Sequence, residues 1–377
     1  MREAVIVDAL RTATGRRDGA LSAVHPVDML VPVLQQLIHR NEIDANVVED
    51  VITGCATMTD EQGGNIGRMA TLAAGLPVEI PAFSLNRMCG SSQEALHSAS
   101  QAILAGDVDV AIACGVENMS RVSMGSDMGT FSNNLLDRYN IVPQGFSAEL
   151  IAQKWELSRE ELDAFSLESH QRAIRATDDG LFEREILPLT LKDSEIFKQD
   201  EGIRRDTTMD KLAQLTPSFQ PDDGVVTAGN ASQISDGAAG VLLMSKEKAE
   251  DLGLKPRAKV IARVAVGEDP VMMLTGVIPA TYKVLEKAGL SLDDIDIIEI
   301  NEAFASVVKA WEKELKPDME KVNPRGGAIA LGHPLGASGA RLATTLLHTL
   351  EDTDSKYGLQ VMCIGFGMAT ATIFEKL

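Results

Sequence analysis

Apolar and polar residues follow two different periods along this chain. Short apolar runs bounded by polar or turn residues predict buried strands, and longer segments with apolar residues three to four apart predict helices. Such alternation is typical of an α/β fold with largely buried sheets. The predicted strands are Ala4–Asp8, Asp50–Gly54, Val108–Cys114, Ile297–Ile300, Gln360–Ile364 and Ala369–Phe374. The predicted helices are Pro26–His39, Ser92–Ala105, Ala148–Trp155, Glu160–Thr177, Val277–Ala288 and Gly336–Leu350.

Weak internal similarities recur at nearly one spacing, which predicts two duplicated halves. Asp50–Ile52 resembles Asp296–Ile298, and 296 − 50 = 246. Three further pairs have spacings of 244 to 249: Pro26–Leu30 with Pro270–Leu274, Met88–Ser91 with Gly332–Leu335, and Val110–Gly115 with Gln360–Cys363. The middle of the chain has no counterpart and predicts an insertion. The predicted domains are residues 1–116 plus 230–255 as the first half, 117–229 as an inserted loop domain, and 256–377 as the second half.

The composition narrows the function classes. A formal net charge of −20 disfavours a broad nucleic-acid-binding face, because phosphate neutralisation needs clustered Lys and Arg. No run approaches the ~20 apolar residues of a membrane span, and no signal peptide is visible at Met1–Asp8. The four cysteines are widely spaced, which gives little support to a metal site or a disulfide framework and predicts a reducing cytoplasm. They are Cys55, Cys89, Cys114 and Cys363.

Cys89 is the first candidate for chemistry. It precedes a predicted helix of small residues, where free N–H groups and the helix dipole favour a thiolate. The sequence therefore predicts a nucleophile active near neutral pH. The alternative is a buried, inert cysteine, but the polar turn Gly90–Ser92 is a poor core environment.

His333 and Asn301 are further candidates. His333 lies between Gly332 and Pro334 before another small-residue helix, so it either faces a cavity or fixes the turn. The glycine-rich stretch lacks the Gly-Lys-Ser/Thr ending of a phosphate-binding loop. The duplication places Cys89 and His333 at equivalent corners, and hence at one site. Asn301 could orient a water, whereas Glu302 is either a general base or, the favoured interpretation, a first-turn carboxylate.

Cys363 ends a predicted strand and is followed by Gly365, Phe366 and Gly367. A dinucleotide-binding loop is excluded, because only ten residues follow Gly367 and the motif needs a helix and a second strand. Gly365 would instead let the backbone approach a ligand, and its N–H could contribute to an oxyanion hole. The alternative for Cys363 is simple packing within a strand.

Four segments together resemble the thiolase family. They are Asn86–Ser92 with Cys89, Asn301–Phe304, Gly327–Arg341 with His333, and Cys363–Gly367. The resemblance covers essentially the whole chain, in the family's order. It implies a five-layered αβαβα fold of two similar halves with an inserted loop domain. It also implies reversible cleavage of 3-oxoacyl-CoA by free CoA, an acyltransferase reaction of lipid metabolism and fatty acid β-oxidation.

The same resemblance implies the site residues. Cys89 would carry the acyl group, His333 would accept its proton, and Cys363 would be the general acid and base. One oxyanion site would use His333 with a water held by Asn301, and the other would use the N–H groups of Cys89 and Gly365. The coenzyme A chain would pass Ser232, Ala303 and Phe304. Phe366, where most thiolases have glycine, is expected to shape the acyl pocket; Ala369 and Thr216 are further departures.

No metal and no cofactor are implied, since coenzyme A is itself a substrate. The implied partners are acyl-CoA and CoA, in a homodimer or homotetramer, with an accessory or β-oxidation subunit left open. Three alternatives remain: a biosynthetic acetoacetyl-CoA thiolase, a ketoacyl synthase-like condensing enzyme, and a non-catalytic acyl-CoA-binding relative. The second catalytic cysteine, Cys363, argues against a synthase, and the complete residue set argues against a non-catalytic protein.

Overall fold

A computed structural model describes residues 2–377 of the chain, apart from the side chain of Asp193. The strands are β1 (Ala4–Thr12), β2 (Gly15–Arg16), β3 (Asp50–Gly54), β4 (Ala82–Leu85), β5 (Val110–Asn118), β6 (Ile186–Leu187), β7 (Leu189–Thr190), β8 (Ile196–Phe197), β9 (Ser235–Ser245), β10 (Ala258–Gly267), β11 (Ile297–Ile300), β12 (Tyr357–Ile364) and β13 (Met368–Lys376). The α-helices are α1 (Pro26–His39), α2 (Ile66–Ala73), α3 (Ser91–Ala105), α4 (Asn133–Leu136), α5 (Gln144–Lys154), α6 (Arg159–Asp178), α7 (Met209–Ala213), α8 (Lys246–Asp251), α9 (Val277–Ala288), α10 (Ala305–Leu315), α11 (Ala328–Leu331) and α12 (Ser338–Asp352).

Local signals in the sequence explain several of these elements. Helix α1 begins with Pro26, whose fixed φ suits a first helical turn, and the His25 side chain accepts a hydrogen bond from the Val27 N–H. Helix α3 ends at Gly106, whose φ of 85° places it in the left-handed region that favours glycine. The bounds predicted for α1, β3, α9 and β11 agree with the structure at both ends.

The main sheet repeats one topology in its two halves. Its strand order is β11-β12-β13-β10-β1-β9-β5-β3-β4. In the first half, β9 runs antiparallel to β1 and β5, and β5 is parallel to β3. In the second half, β13 runs antiparallel to β10 and β12, and β12 is parallel to β11. The halves join through antiparallel pairing of β1 with β10, at Val5 with Lys259 and Ile6 with Ala258.

The pairing register of the parallel strands is the same in the two halves. Gly54 pairs with Gly115 in the first half, and Ile300 pairs with Val361 in the second. Both differences, 115 − 54 and 361 − 300, equal 61. One offset must therefore hold for both strands of a pair, so the similarities spaced by 246 and by 249 cannot both be structural equivalences. A further similarity is wrong as a structural equivalence. Pro270 precedes α9, which begins only at Val277, so it does not correspond to Pro26.

Helices α3 and α12 pack against each other between the two halves of the sheet. Helices α1 and α2 cover the outer face of the first half, and α9 and α10 cover that of the second. The predicted five-layered αβαβα arrangement is therefore confirmed. Within residues 2–377, no helix is both long enough and apolar enough to cross a membrane.

Residues 117–229, predicted to form an inserted domain, contribute α4–α7 and β6–β8. They contact both halves: β6 pairs with β1, and α5 and α6 pack against α10. Arg11 of β1 is fully buried and forms ion pairs with Glu185 at 2.6 Å and Asp200 at 2.7 Å. This insertion is thus anchored to the first half by buried charge. The exact domain division stays a prediction.

Candidate active site

Cys89 lies in the turn between β4 and α3. Gly90 is the N-cap of α3, and Met88, just before the cysteine, has a φ of +47°. A bulky residue in the left-handed region is strained, and such strain clusters at functional sites. The Gly365 N–H and the Gln144 side chain lie near the Cys89 sulfur, and the three residues line the same cavity.

The pKa of Cys89 differs from the sequence-based expectation. Burial raises the pKa of the thiol to about 11, even though the Gly365 N–H and the cysteine's own N–H act in the opposite direction. The prediction of a thiolate near neutral pH is wrong for the unliganded site, because desolvation outweighs the donors of the helix end. Cys89 therefore needs a base to become a nucleophile.

His333 is held in a bend before α12. Its backbone N–H donates to Ser235 Oγ at 3.2 Å. Gly332 has a φ of +89°, and a Cβ there would lie 2.4 Å from Ser235 Oγ, so only glycine fits. The Nδ1 atom of His333 lies 2.6 Å from Ser338 Oγ, and this hydroxyl donates its own proton to the Pro334 carbonyl at 2.8 Å.

These hydrogen bonds assign the tautomer of His333. A serine hydroxyl has one proton, so Ser338 can only accept from His333, and Nδ1 must carry the hydrogen. Burial, together with the positive charge of Arg341, lowers the pKa of His333 to about 3. The imidazole is neutral, and Nε2 keeps its lone pair, 3.3 Å from Asn301 Nδ2. His333 is thus prepared to accept a proton at Nε2.

Cys363 is the penultimate residue of β12 and is fully buried. The Asn301 side chain and the Ala303 N–H lie near its sulfur. Burial, followed by the proximity of Cys89, raises the pKa of the Cys363 thiol to about 12. The Asn301 amide thus lies near Cys363 and contacts His333, which joins these residues and Cys89 into one cluster. Asn301 Oδ1 is buried without a hydrogen-bond partner among the described residues and can accept from a water.

Residues 365–367 form the tight loop between β12 and β13. Phe366 and Gly367 have φ values of +60° and +75°, a left-handed pair that suits a hairpin. The Gly365 N–H lies near the Cys89 sulfur. The Phe366 ring contacts Phe131 edge to face, with 5.7 Å between the ring centroids. The loop therefore brings a backbone N–H and an aromatic ring to the same site.

A mostly apolar cavity of about 420 Å³ opens on Cys89. Inserted-domain residues, the loop after β12 and the segment before α9 line it together. Its apolar side chains include Met88, Met124, Met128, Phe131, Ile141, Val142, Met273, Leu335 and Phe366; Thr57, Asn86, Asp127 and Gln144 are polar.

Ser232, Ala303 and Phe304 form a separate group. The Ser232 N–H donates to the Ala303 carbonyl at 2.9 Å, and Ala231 forms an antiparallel bridge with Phe304. The Phe304 ring packs edge to face on Phe219, with centroids 6.2 Å apart. The cavity at Cys89 is lined by none of these residues. Their role in binding coenzyme A stays a prediction.

Glu302 is not a first-turn carboxylate of α10, which begins only at Ala305. Its buried carboxylate accepts hydrogen bonds from Ser169 Oγ at 2.6 Å, Asn323 Nδ2 at 2.9 Å and the Ile329 N–H at 3.1 Å. The interpretation favoured from the sequence is therefore wrong, and the general base stays a hypothesis. Glu302 connects α6, α11 and the segment between α10 and α11.

Sequence reasoning missed three residues of this site. Ser338 sets the tautomer of His333, and Gln144 of the inserted domain lies near Cys89. Glu117, at the end of β5, accepts from the N–H groups of Ala56 and Gly336, both at 2.8 Å, and so connects the two halves. Only Ser338 had a signal in the sequence: a small polar residue at a helix start, five positions after His333.

Comparison with known proteins identifies the family. The model of the thiolase N-terminal domain matches residues 4–247, and that of the thiolase C-terminal domain matches residues 254–376. The chain belongs to the thiolase family. The sequence-based assignment to the thiolases, to their fold and to the acyltransferases is thereby confirmed.

Individual thiolases match over their whole length. The chain is 49% identical to the steroid 3-ketoacyl-CoA thiolase FadA6 of Mycobacterium tuberculosis, over 100% of this chain and 95% of that protein. It is 46% identical to a 3-ketoacyl-CoA thiolase of Aliivibrio fischeri, with full coverage of both. Among solved structures, the acetyl-CoA acetyltransferase of Bacillus anthracis superposes with a TM-score of 0.93 at 38% identity, over 100% of this chain and 99% of that one. Human mitochondrial 3-ketoacyl-CoA thiolase superposes with a TM-score of 0.92 at 34% identity, with the same coverage.

Proposed function

We propose that this thiolase cleaves 3-oxoacyl-CoA esters with free CoA, giving acetyl-CoA and an acyl-CoA shortened by two carbons. One observation carries the proposal: two buried thiols, Cys89 and Cys363, lie near each other and near the Asn301–His333 pair, and an apolar cavity opens on Cys89. The names of the relatives from M. tuberculosis and A. fischeri support the same reaction.

In the first half-reaction, His333 Nε2 takes the Cys89 proton as the sulfur attacks the 3-keto carbon. The resulting alkoxide accepts hydrogen bonds from the N–H groups of Cys89 and Gly365; one such donor is typically worth about 2.7–4 kcal/mol. When the C2–C3 bond breaks, its electron pair becomes the enolate of acetyl-CoA. His333 and a water held by Asn301 stabilise the enolate oxygen. The Cys363 thiol then gives its proton to C2, and acetyl-CoA leaves.

In the second half-reaction, the Cys363 thiolate takes the proton of the incoming CoA thiol. The CoA sulfur attacks the thioester carbonyl of acyl-Cys89, and the tetrahedral intermediate expels the Cys89 sulfur. Protonated His333 returns its proton to that sulfur. The Cys89 proton thus returns through His333, and Cys363, whose proton is now on C2 of acetyl-CoA, is reprotonated by the CoA thiol. The scheme balances without a redox partner. The raised pKa values of both thiols, caused first by burial, fit groups that must carry a proton at the start.

Coenzyme A is a substrate in this scheme, and we assign its pantetheine to the surface formed by Ser232, Ala303 and Phe304. Four free, buried cysteines favour a reducing compartment such as the cytoplasm. A homodimer or homotetramer, alone or with an accessory subunit, is the expected assembly.

The test is thiolysis by the purified full-length chain, with mass spectrometry of the enzyme after addition of 3-oxododecanoyl-CoA without CoA. A mass increase of one acyl group on wild type, absent from Cys89→Ala, is expected. The Cys114→Ala variant is a matched control, because Cys114 is equally buried but contacts Thr53 instead of the site. Acylation that survives Cys89→Ala would refute the mechanism. Failure to cleave any 3-oxoacyl-CoA, with retained decarboxylative condensation, would favour a synthase.

The alternative, a biosynthetic acetoacetyl-CoA thiolase, predicts a preference for condensation and for short substrates. An acetoacetyl-CoA synthase should condense two acetyl-CoA molecules efficiently and show no advantage for longer substrates. The cavity at Cys89 favours degradation, since an acetyl group would leave most of its ~420 Å³ unfilled.

A further inference from the structure

The cavity at Cys89 lies on the acyl side of the site. A group transferred to Cys89 is bound covalently to that sulfur, so it must occupy space that opens on the sulfur. Ser232, Ala303 and Phe304, assigned to coenzyme A, do not line the cavity. The cavity is therefore available to the acyl chain.

Phe131 and Phe366, hereafter the aromatic pair, form one wall of this cavity. Phe131 comes from the inserted segment just before α4, and Phe366 comes from the loop after β12. Their rings meet edge to face, with an interplanar angle of 84° and 5.7 Å between centroids. This geometry is a favourable one for aromatic pairs.

The backbone of Phe366 has a strained conformation at this wall. Its φ of +60° is uncommon for a bulky residue, and glycine would adopt it without cost. Gly365, the immediate neighbour, lies beside Cys89, and Phe366 lines the same cavity as that sulfur. Strain of this kind persists where surrounding contacts impose it, and Phe131 supplies such a contact.

Apolar side chains around the aromatic pair remain exposed. Phe131 is 40% exposed, Met128 47% and Met124 54%. All three line the cavity, and methionine adapts its shape to different apolar surfaces. An apolar ligand in the cavity would cover them.

We propose that the aromatic pair determines acyl-group selectivity, by packing against long or bulky apolar acyl groups and so favouring them over acetyl. This inference rests on the proposed thiolysis reaction. Phe131 and Phe366 take no part in proton transfer, so their effect falls on the choice of substrate. Each buried methylene is worth roughly fourfold in binding, so three to four contacts give wild type at least about a hundredfold preference.

The experiment measures kcat/KM for thiolysis of 3-oxododecanoyl-CoA and of acetoacetyl-CoA, and reports their ratio. The variants are Phe366→Gly, which suits the left-handed backbone, Phe131→Ala, and the double variant. Phe131→Leu keeps an apolar side chain in case the alanine variant folds poorly. Tyr282→Ala is the control, since Tyr282 is an aromatic residue of α9, 54% exposed and outside the cavity.

We expect each single substitution to lower the ratio about tenfold, because an aromatic contact and lost burial together are worth roughly that factor. The double variant should lose less than the product of the two, because the rings act together. Tyr282→Ala should leave the ratio unchanged. A ratio that stays within twofold of wild type, or rises, in both single variants would overturn the inference. An equal loss for both substrates would also overturn it, since the loop would then act on the chemistry alone. Absence of thiolysis by wild type with either substrate would instead overturn the proposed function.

Discussion

Ser338→Ala should impair catalysis without altering substrate binding. The Ser338 hydroxyl donates to the Pro334 carbonyl and accepts from His333 Nδ1 at 2.6 Å, and so keeps the hydrogen off Nε2. Without this acceptor, the ring either leaves Nδ1–H unpaired in a buried site or moves the hydrogen to Nε2. In the second case, His333 cannot take a proton from Cys89.

The size of the effect follows from the cost of the unpaired donor. A buried donor without a partner costs about 1–3 kcal/mol. At about 1.4 kcal/mol per factor of ten, this corresponds to a loss of roughly 5- to 160-fold in kcat. KM should change little, because Ser338 is fully buried behind His333 and does not line the acyl cavity.

The assay is steady-state thiolysis of 3-oxododecanoyl-CoA at saturating CoA, with circular dichroism to confirm the fold. Ser100→Ala is the matched control: Ser100 is a buried helical serine whose hydroxyl donates to the His97 carbonyl at 2.9 Å, away from His333. A Ser338→Ala enzyme with kcat within twofold of the Ser100→Ala enzyme would refute the tautomer argument. A rise in KM at constant kcat would also contradict it.

Three further outcomes are expected. Cys363→Ala should still form the acyl-enzyme once supplied with an acyl thioester, yet lose about 10²- to 10⁴-fold in kcat, because C2 lacks its proton donor; unchanged kcat would exclude that role. Alkylation of Cys89 by iodoacetamide should accelerate steadily from pH 7 to pH 10, since burial raises its thiol pKa to about 11 and the thiolate fraction grows with pH; a plateau below pH 8 would contradict this. Arg11→Met should lower the free energy of unfolding in urea by about 3–5 kcal/mol, because it leaves Asp200 buried without its cation and Glu185 with only Arg325, at 3.8 Å, as an ionic partner. Arg205→Met, which removes an exposed ion pair, is its control, and equal stability of the two variants would refute the estimate.

Local signals in the sequence predicted much of the fold. Pro26 at the first helical position and apolar residues at helical spacing fixed α1 at both ends, and the apolar run Ile297–Ile300 fixed β11. Short similarities located the duplication, but they could not set its register. Hydrogen-bonded pairing has the same register in both halves, so paired strands share one offset, and the spacings of 246 and 249 cannot both be right.

The sequence predicted the site less well where burial determines the chemical properties of a residue. The helix end before α3 suggested a lowered Cys89 pKa, yet desolvation reverses the direction, and desolvation depends on packing from remote segments. Gln144 reaches Cys89 from the inserted domain, 144 − 89 = 55 positions away, so no local pattern could indicate it. Glu302 was misread because α10 begins three residues later than the sequence suggested.

Two strands in equivalent places of the topology end in residues of different chemistry. Glu117 and Cys363 are each the penultimate residue of a strand, β5 and β12. Strand β5 lies between β9 and β3, and β12 lies between β13 and β11, the same arrangement in each half. Cys363 places a buried thiol near Cys89, whereas Glu117 accepts the Gly336 N–H in the loop that follows His333. One strand end thus brings a second thiol to the site, and the other holds the two halves in alignment around it.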